Sequence, residues 1–340
     1  MKFLGNLSFK TIGSDPEFFI IKNKQAFPSC LFLKEEKNAL INNTNFKLFK
    51  DNLLLEGNIP PAVNSKNFIS NMAELYWMIN NLLKYQSAKI IHEDAMKFAP
   101  RFLKLPDAYN FGCSGYFNTW DEINNDFLIT KIHSTPVLKG PMRTAGFHIH
   151  LGMDYQGEYQ NNNNGKTKNL QTDLKDTPLE KIIKFHINRI VTRVFDLLVT
   201  NPSRHVYVNK ERAKGYGQFG AFRNTPYGVE CRSLGGYFTQ IKYLRWVAEQ
   251  SIKAVNHTNM LIKKNPDALI HFSKNIKFDV IDNIFLNPSL YKAFNLNYND
   301  EIQQINEIAK KEDNPDKRFF DKVHQSNSSY EPELEYDFSY

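Results

Sequence analysis

The sequence predicts an α+β protein built on a mostly antiparallel sheet, and three observations carry that expectation. Strand-like apolar stretches lie before the first helix-like segment and on either side of the second, without the regular alternation of a doubly wound sheet. Three longer segments repeat apolar residues at spacings of three and four, the helical period. Four strand-like stretches place polar or ionisable residues two positions apart: Asp15 and Glu17 in GSDPEFFII, Glu56 and Asn58 in DNLLLEGNIPP, His148 and His150 in AGFHIHLG, and Glu230 and Arg232 in YGVECRSLGG. Residues i and i+2 of a strand share a face. Each stretch therefore turns its polar pair one way and leaves residues such as Phe18, Leu55, Ile149 and Val229 to pack elsewhere.

In chain order, Asp15-Pro16-Glu17 runs into the buried strand Phe18-Phe19-Ile20-Ile21, with the proline expected at a strand start or an edge. Glu56 follows three leucines and precedes a turn marked by Gly57, Pro60 and Pro61. From Ser65 to about Ile91, Phe68, Ile69, Met72, Leu75, Tyr76, Ile79, Leu82 and Leu83 predict a helix, with Asn64 or Ser65 as its cap. After the histidine strand, residues 155–176 turn polar and include Asn161 to Asn164, which predicts a mobile insertion. A second helix is expected from Pro178 to Thr200, with Thr177 as a cap candidate, and a third from about Gln240 to Lys264. The glycines between them, in RAKGYGQFGAFRNTPYGVECR, suit tight turns and close backbone approach to a ligand. No repeat of solenoid length occurs, so residues 1–309 are expected to form one domain and residues 310–340 a polar, acid-ended appendage.

At 340 residues the chain can bury a substantial core. No stretch approaches twenty consecutive apolar residues, and the N-terminal segment lacks a secretory apolar run, so no membrane span and a cytoplasmic location are expected. Cys30, Cys113 and Cys231 are odd in number and show no CxxC spacing, which argues against a disulfide framework and a zinc-thiolate site. Cys231 is expected as a buried thiol on the opposite face from Glu230 and Arg232. The net charge of +7 invites a nucleic-acid partner, whose signature would be affinity falling steeply with salt. Scattered lysines and an acidic site that repels phosphate make that the weakest of the readings.

Gathered on one surface, these strands would offer carboxylates, two imidazoles and arginines. Carboxylate oxygens suit Mg2+, an imidazole is tolerated by Mn2+, and arginine suits phosphoryl oxygens. Arg212, Tyr216, Arg223 and Arg232 are candidates to surround an anionic ligand, and no GxxxxGK[ST] loop is present to do so instead. The same histidine spacing is common in zinc hydrolases, so a metal-dependent hydrolase or phosphoesterase is the alternative enzyme.

The motifs together resemble the phage-type carboxylate-amine ligases, the type 2 amidoligases of the glutamine synthetase and glutamate-cysteine ligase superfamily. Asp15-Pro16-Glu17-Phe18-Phe19 is similar to the acidic pair that opens the synthetase catalytic domain, and Asp51 to Pro61 to the next acidic strand of the phage-type enzymes. Gly146-Phe147-His148-Ile149-His150 resembles Gly-x-His-x-His, and Gly220 through Arg232 the late Glu-x-Arg strand. The motifs keep family order over roughly Gly13 to Gly236. Asp15 stands where glutamine synthetase has glutamate, and Glu56 is the clear acid of a segment where that enzyme has two, with Asp51 the candidate for the other.

The resemblance implies an antiparallel sheet forming half of a catalytic funnel, with helices packed on its outer face. It implies ATP and Mg2+ or Mn2+ as cofactors, and a carboxylate, joined to an amine through an acyl phosphate, as substrate. The product would be a modified peptide, protein side chain or cell-wall fragment. By the same resemblance Glu17 and Glu56 would hold the cation nearer the substrate carboxylate. Asp15, His148 and Glu230 would hold the one bridging the ATP phosphates. His150 would touch those phosphates, while Arg232 and Arg223 would steady the transferring phosphoryl group.

Overall fold

In the computed structural model, the described residues are 2–33, 39–40, 46–109, 115–122, 132–133, 140–160, 167–170, 178–265, 267–274, 276–281 and 284–311. They form an α+β fold around a large, mostly antiparallel open sheet. Five strands at its centre carry the candidate site motifs: β1 (Lys2–Lys22), β2 (Leu54–Asn58), β3 (Phe147–Gln160), β4 (Ala221–Thr225) and β5 (Gly228–Cys231). Their spatial order is β2-β1-β3-β5-β4, and each neighbouring pair is antiparallel. Lys47–Asp51 extends the sheet beyond β2, and Phe117–Asn118 extends it beyond β4.

β1 is longer than the sequence suggests, and Pro16 lies inside it rather than at its start or on an edge. The ladder with β3 ends at Pro16, and the pairing with β2 begins at Glu17. The missing N–H therefore falls where β1 changes partner, the place in a central strand where it disrupts least. Beyond it, Phe19 to Lys22 pair with Ala88–Ile91, and Ile20 to Lys22 also with Gln25–Phe27.

Side-chain alternation divides the sheet into two faces. Ile12, Phe18, Ile20, Phe147, Ile149, Leu151, Val229 and Cys231 enter the main core, most of them with no exposed surface. Each such side chain contributes about 1.5 to 3 kcal/mol of apolar burial. Cys231 thus lies on the face opposite that of Glu230, and burial pushes its thiol pKa well up. The helices α1 (Ser65–Lys84), α2 (Pro178–Phe195) and α3 (Ile241–Lys264) cover this side, α3 against β1 and α2 against β4 and β5. Asn64 caps α1 by accepting the Asn67 N–H, as the sequence suggests.

Two helix boundaries differ from expectation. α1 stops at Lys84 instead of Ile91; Ser87 takes a positive φ of 51°, and Ala88–Ile91 leaves as a strand along β1. The short apolar run there fits either period, and an open sheet edge decides for the strand. After α2 the chain does not stop at Thr200 but passes through one π-turn, Asp196–Thr200, into a further helical segment, Asn201–Val206. Tyr155 to Gln160 continue β3, and Thr167–Leu170 pairs back onto it. The rest of the polar segment, the Thr177 cap, Cys113 and the tail from residue 312 lie outside the described residues.

The π-turn sets Asp196, fully buried, beneath the site strands. Its carboxylate accepts from Trp120 Nε1 at 2.8 Å and from Ser233 Oγ at 3.0 Å. Burial raises its pKa to about 6 against these hydrogen bonds and the Arg204 charge. The folded carboxyl thus keeps its proton to a higher pH than the unfolded one. Stability present below about pH 4 is lost as pH rises towards 6, by up to about 3 kcal/mol. Urea titrations of wild type and Asp196→Asn from pH 4 to 7 are expected to show the variant gaining on the wild type by about that amount; a pH-independent difference would refute the assignment.

Candidate functional site

The face opposite the helices assembles the polar residues of four separate motifs through strand register alone. Glu17 of β1 lies opposite Glu56 of β2, and Asp15 lies opposite His148 of β3. His150 lies opposite Glu230 of β5, which lies opposite Arg223 of β4. Directly opposed residues of an antiparallel pair project to the same side with Cβ atoms about 5 Å apart. The result is a continuous row from acid, through imidazole, to acid and guanidinium. Asp51 pairs with Leu54 at its hairpin end, and Phe49 stands opposite Glu56.

Two local devices make this row possible. Gly228 holds a φ of +154°, and a Cβ there would meet the Leu151 carbonyl oxygen at 2.0 Å, so a glycine is needed for β5 to lie against β3. Gly146 opens the histidine strand because a Cβ at that position would stand 2.5 Å from Nε2 of His148. Its N–H is also used, donating to Glu17 Oε2 at 2.6 Å. Ser14 Oγ donates to the His148 carbonyl at 2.6 Å and ties β1 to β3.

The centre of the row is Asp15, His148, His150 and Glu230. Donor atoms of Asp15, His150 and Glu230 all lie within 4.8 Å of one another. His150 Nε2 is 2.8 Å from Asp15 Oδ1, and its Nδ1 is 2.6 Å from the Tyr227 hydroxyl. Burial pushes the Asp15 carboxyl up, but the flanking His150 and His148 overcome that and hold it below the ordinary carboxylate range. Burial pushes the other way on His150, where the Asp15 charge and hydrogen bond prevail and raise it.

His148 is 2% exposed, and its Nδ1 makes no hydrogen bond among the described residues. That nitrogen lies 3.6 Å from Asp15 Oδ1 and 3.8 Å from Glu230 Oε1. A buried polar atom without a partner is costly, and one aimed between two carboxylates is suited to a cation. Two carboxylates with imidazole nitrogen form a donor set that could hold a divalent metal ion. The resemblance separates the imidazoles, His148 for metal and His150 for phosphate; the geometry sets both beside the same two carboxylates.

The arginines divide by role. Arg232 is buried and donates through Nη1 to Glu230 and through Nη2 to the Tyr216 hydroxyl at 2.8 Å. Arg223 stands 3.7 Å from Glu230 with its side chain 23% exposed, so it is the arginine of the row open to solvent. Arg212 does not join them. Its guanidinium donates to the carbonyls of Ala145 at 2.8 Å, Ser233 at 3.2 Å and Leu234 at 2.7 Å, which commits it to the backbone.

Tyr227 and the Gly146 N–H are site features that the sequence reading did not assign. Tyr227 sits in the tight turn between β4 and β5, only three residues before Glu230, and that proximity was the available signal. No helix among the described residues is long and apolar enough to cross a membrane. A scan against protein-family models finds no matching family, and a search of curated proteins finds no match.

Proposed function

We propose that this protein is an ATP-dependent ligase that activates a carboxylate by phosphorylation and joins it to an amine. The observation that carries the reading is the row Glu56, Glu17, Asp15, His148, His150, Glu230 and Arg223, drawn from five adjacent strands onto one face. Its two ends differ in charge, as the two halves of the reaction require. The acidic half suits cations, and the arginine half suits phosphoryl oxygens.

Asp15, His148 and Glu230 would hold one Mg2+ or Mn2+, and the Glu17–Glu56 pair is the candidate for a second. When bound, such cations neutralise charge on the phosphoryl oxygens and the carboxylate. Arg232, fixed by Glu230 and Tyr216, holds Glu230 in place, and the more open Arg223 steadies the transferring phosphoryl group. His150, oriented by Asp15 and Tyr227, would touch the phosphates beside that cation. The sheet face would be the floor of a glutamine-synthetase-like funnel, with ATP entering from one side and the acceptors from another.

The test is phosphate release from ATP with Mg2+, screened over paired carboxylates and amines including short peptides. Release that needs both partners is the expected result. Hydrolysis of phosphate esters with neither partner present would replace this reading with that of a metal-dependent phosphoesterase.

A further inference from the structure

Tyr216 lies outside the sheet, immediately after the short helix Lys210–Gly215, yet its hydroxyl reaches three members of the site. It is 2.8 Å from Arg232 Nη2, 3.0 Å from Glu17 Oε1 and 3.0 Å from His148 Nε2. A phenol has one hydrogen to donate and two lone pairs to accept with. Arginine can only donate, so it occupies one lone pair. An ionised carboxylate can only accept, so Glu17 takes the phenolic hydrogen. The remaining lone pair can be matched to His148 only if Nε2 carries a hydrogen.

We propose that Tyr216 is a positioning residue that fixes His148 as its Nε2–H tautomer, leaving the Nδ1 lone pair bare between Asp15 and Glu230 for a divalent cation. The proposal rests on the metal reading of this site and goes beyond it by naming the group that prepares the ligand. The opposite tautomer would aim the phenolic hydrogen at His148 and leave Tyr216 and Glu17 oxygens facing each other at 3.0 Å without a proton. It would also place the Nδ1 hydrogen towards oxygens 3.6 and 3.8 Å from the nitrogen, too far for a hydrogen bond. In the favoured tautomer a buried acceptor faces two further acceptors, which is a stable arrangement once a cation lies among them. Because Glu17 accepts from the same hydroxyl, Tyr216 also couples the Glu17–Glu56 carboxylates to the Asp15–His148–Glu230 group.

The experiment is nitrogen NMR of histidine-labelled, metal-free protein, with the His148 signals assigned by His148→Asn, followed by Mn2+ titration. Wild type is expected to show His148 protonated at Nε2. Tyr216→Phe is expected to lose that preference and to bind Mn2+ about 10- to 100-fold more weakly, the range for an outer hydrogen-bond partner. A merely structural role for the tyrosine would leave the tautomer unchanged in Tyr216→Phe. Wild type protonated at Nδ1, or a variant that keeps both the tautomer and the affinity, overturns the proposal. Wild type that holds the Nε2–H tautomer yet leaves Mn2+ free overturns the metal reading, and with it the part of the proposal that concerns a ligand.

Discussion

Glu230→Gln is expected to weaken Mn2+ binding by at least ~100-fold while the protein stays folded, since losing a direct ligand should exceed the effect of losing an outer partner. The choice of glutamine matters. Glu230 accepts a hydrogen bond from the buried Arg232 and lies 3.7 Å from Arg223, so the carboxylate has a structural part as well as a ligand's part. The amide keeps an oxygen for Arg232 and removes the negative charge. Glu230→Ala also removes that oxygen, leaving the Arg232 guanidinium buried with neither anion nor acceptor at a cost of about 3 to 5 kcal/mol. Loss of Mn2+ binding in both variants, with a larger fall in melting temperature for alanine than for glutamine, would separate charge from packing. Wild-type Mn2+ affinity in Glu230→Gln would remove Glu230 from the metal site and leave only its pairing with arginine.

The face of the sheet that bears the site was legible because the strand period is two and local. Asp15 and Glu17 share a side whatever strand lies beside them, and so do His148 and His150. Which strands adjoin is a long-range property. Nothing in the spacing of Glu17, Glu56 and Glu230 states that β1 sits between β2 and β3, or that β5 follows β3. Tyr216 illustrates the limit from another side: its part in the site comes from a loop that returns to the sheet 199 residues after Glu17. The π-turn at Asp196 was hidden because the apolar pattern of α2 simply continues into it. The end of α1 was hidden because Ile90 and Ile91 satisfy a helix and a strand equally well until an edge of β1 is available to them.

Arg212 is where residue type alone misled, and its substitution has a large expected effect on stability. A cation among glycines in a ligand-binding stretch reads as an anion contact, but a guanidinium has five donors in a fixed fork and serves backbone carbonyls equally well. Arg212 is 3% exposed and spans Ala145, Ser233 and Leu234. Those residues lie just before the His148 strand and just after Arg232, so one side chain ties together the ends of the two strands that carry the centre of the site. Arg212→Ala is expected to lose about 3 to 5 kcal/mol of unfolding free energy in urea, from the charged hydrogen bonds and the cavity left behind. Arg212→Lys should recover only part, because an ammonium on a single stem cannot reproduce the fork. Stability within ~0.5 kcal/mol of wild type, together with weakened ATP binding, would be the opposite result, and would return Arg212 to the anion site. Loss of stability with ATP affinity intact in the fraction that remains folded is the outcome the carbonyl clamp requires. The site's two halves would then depend on a cation that never touches the ligand.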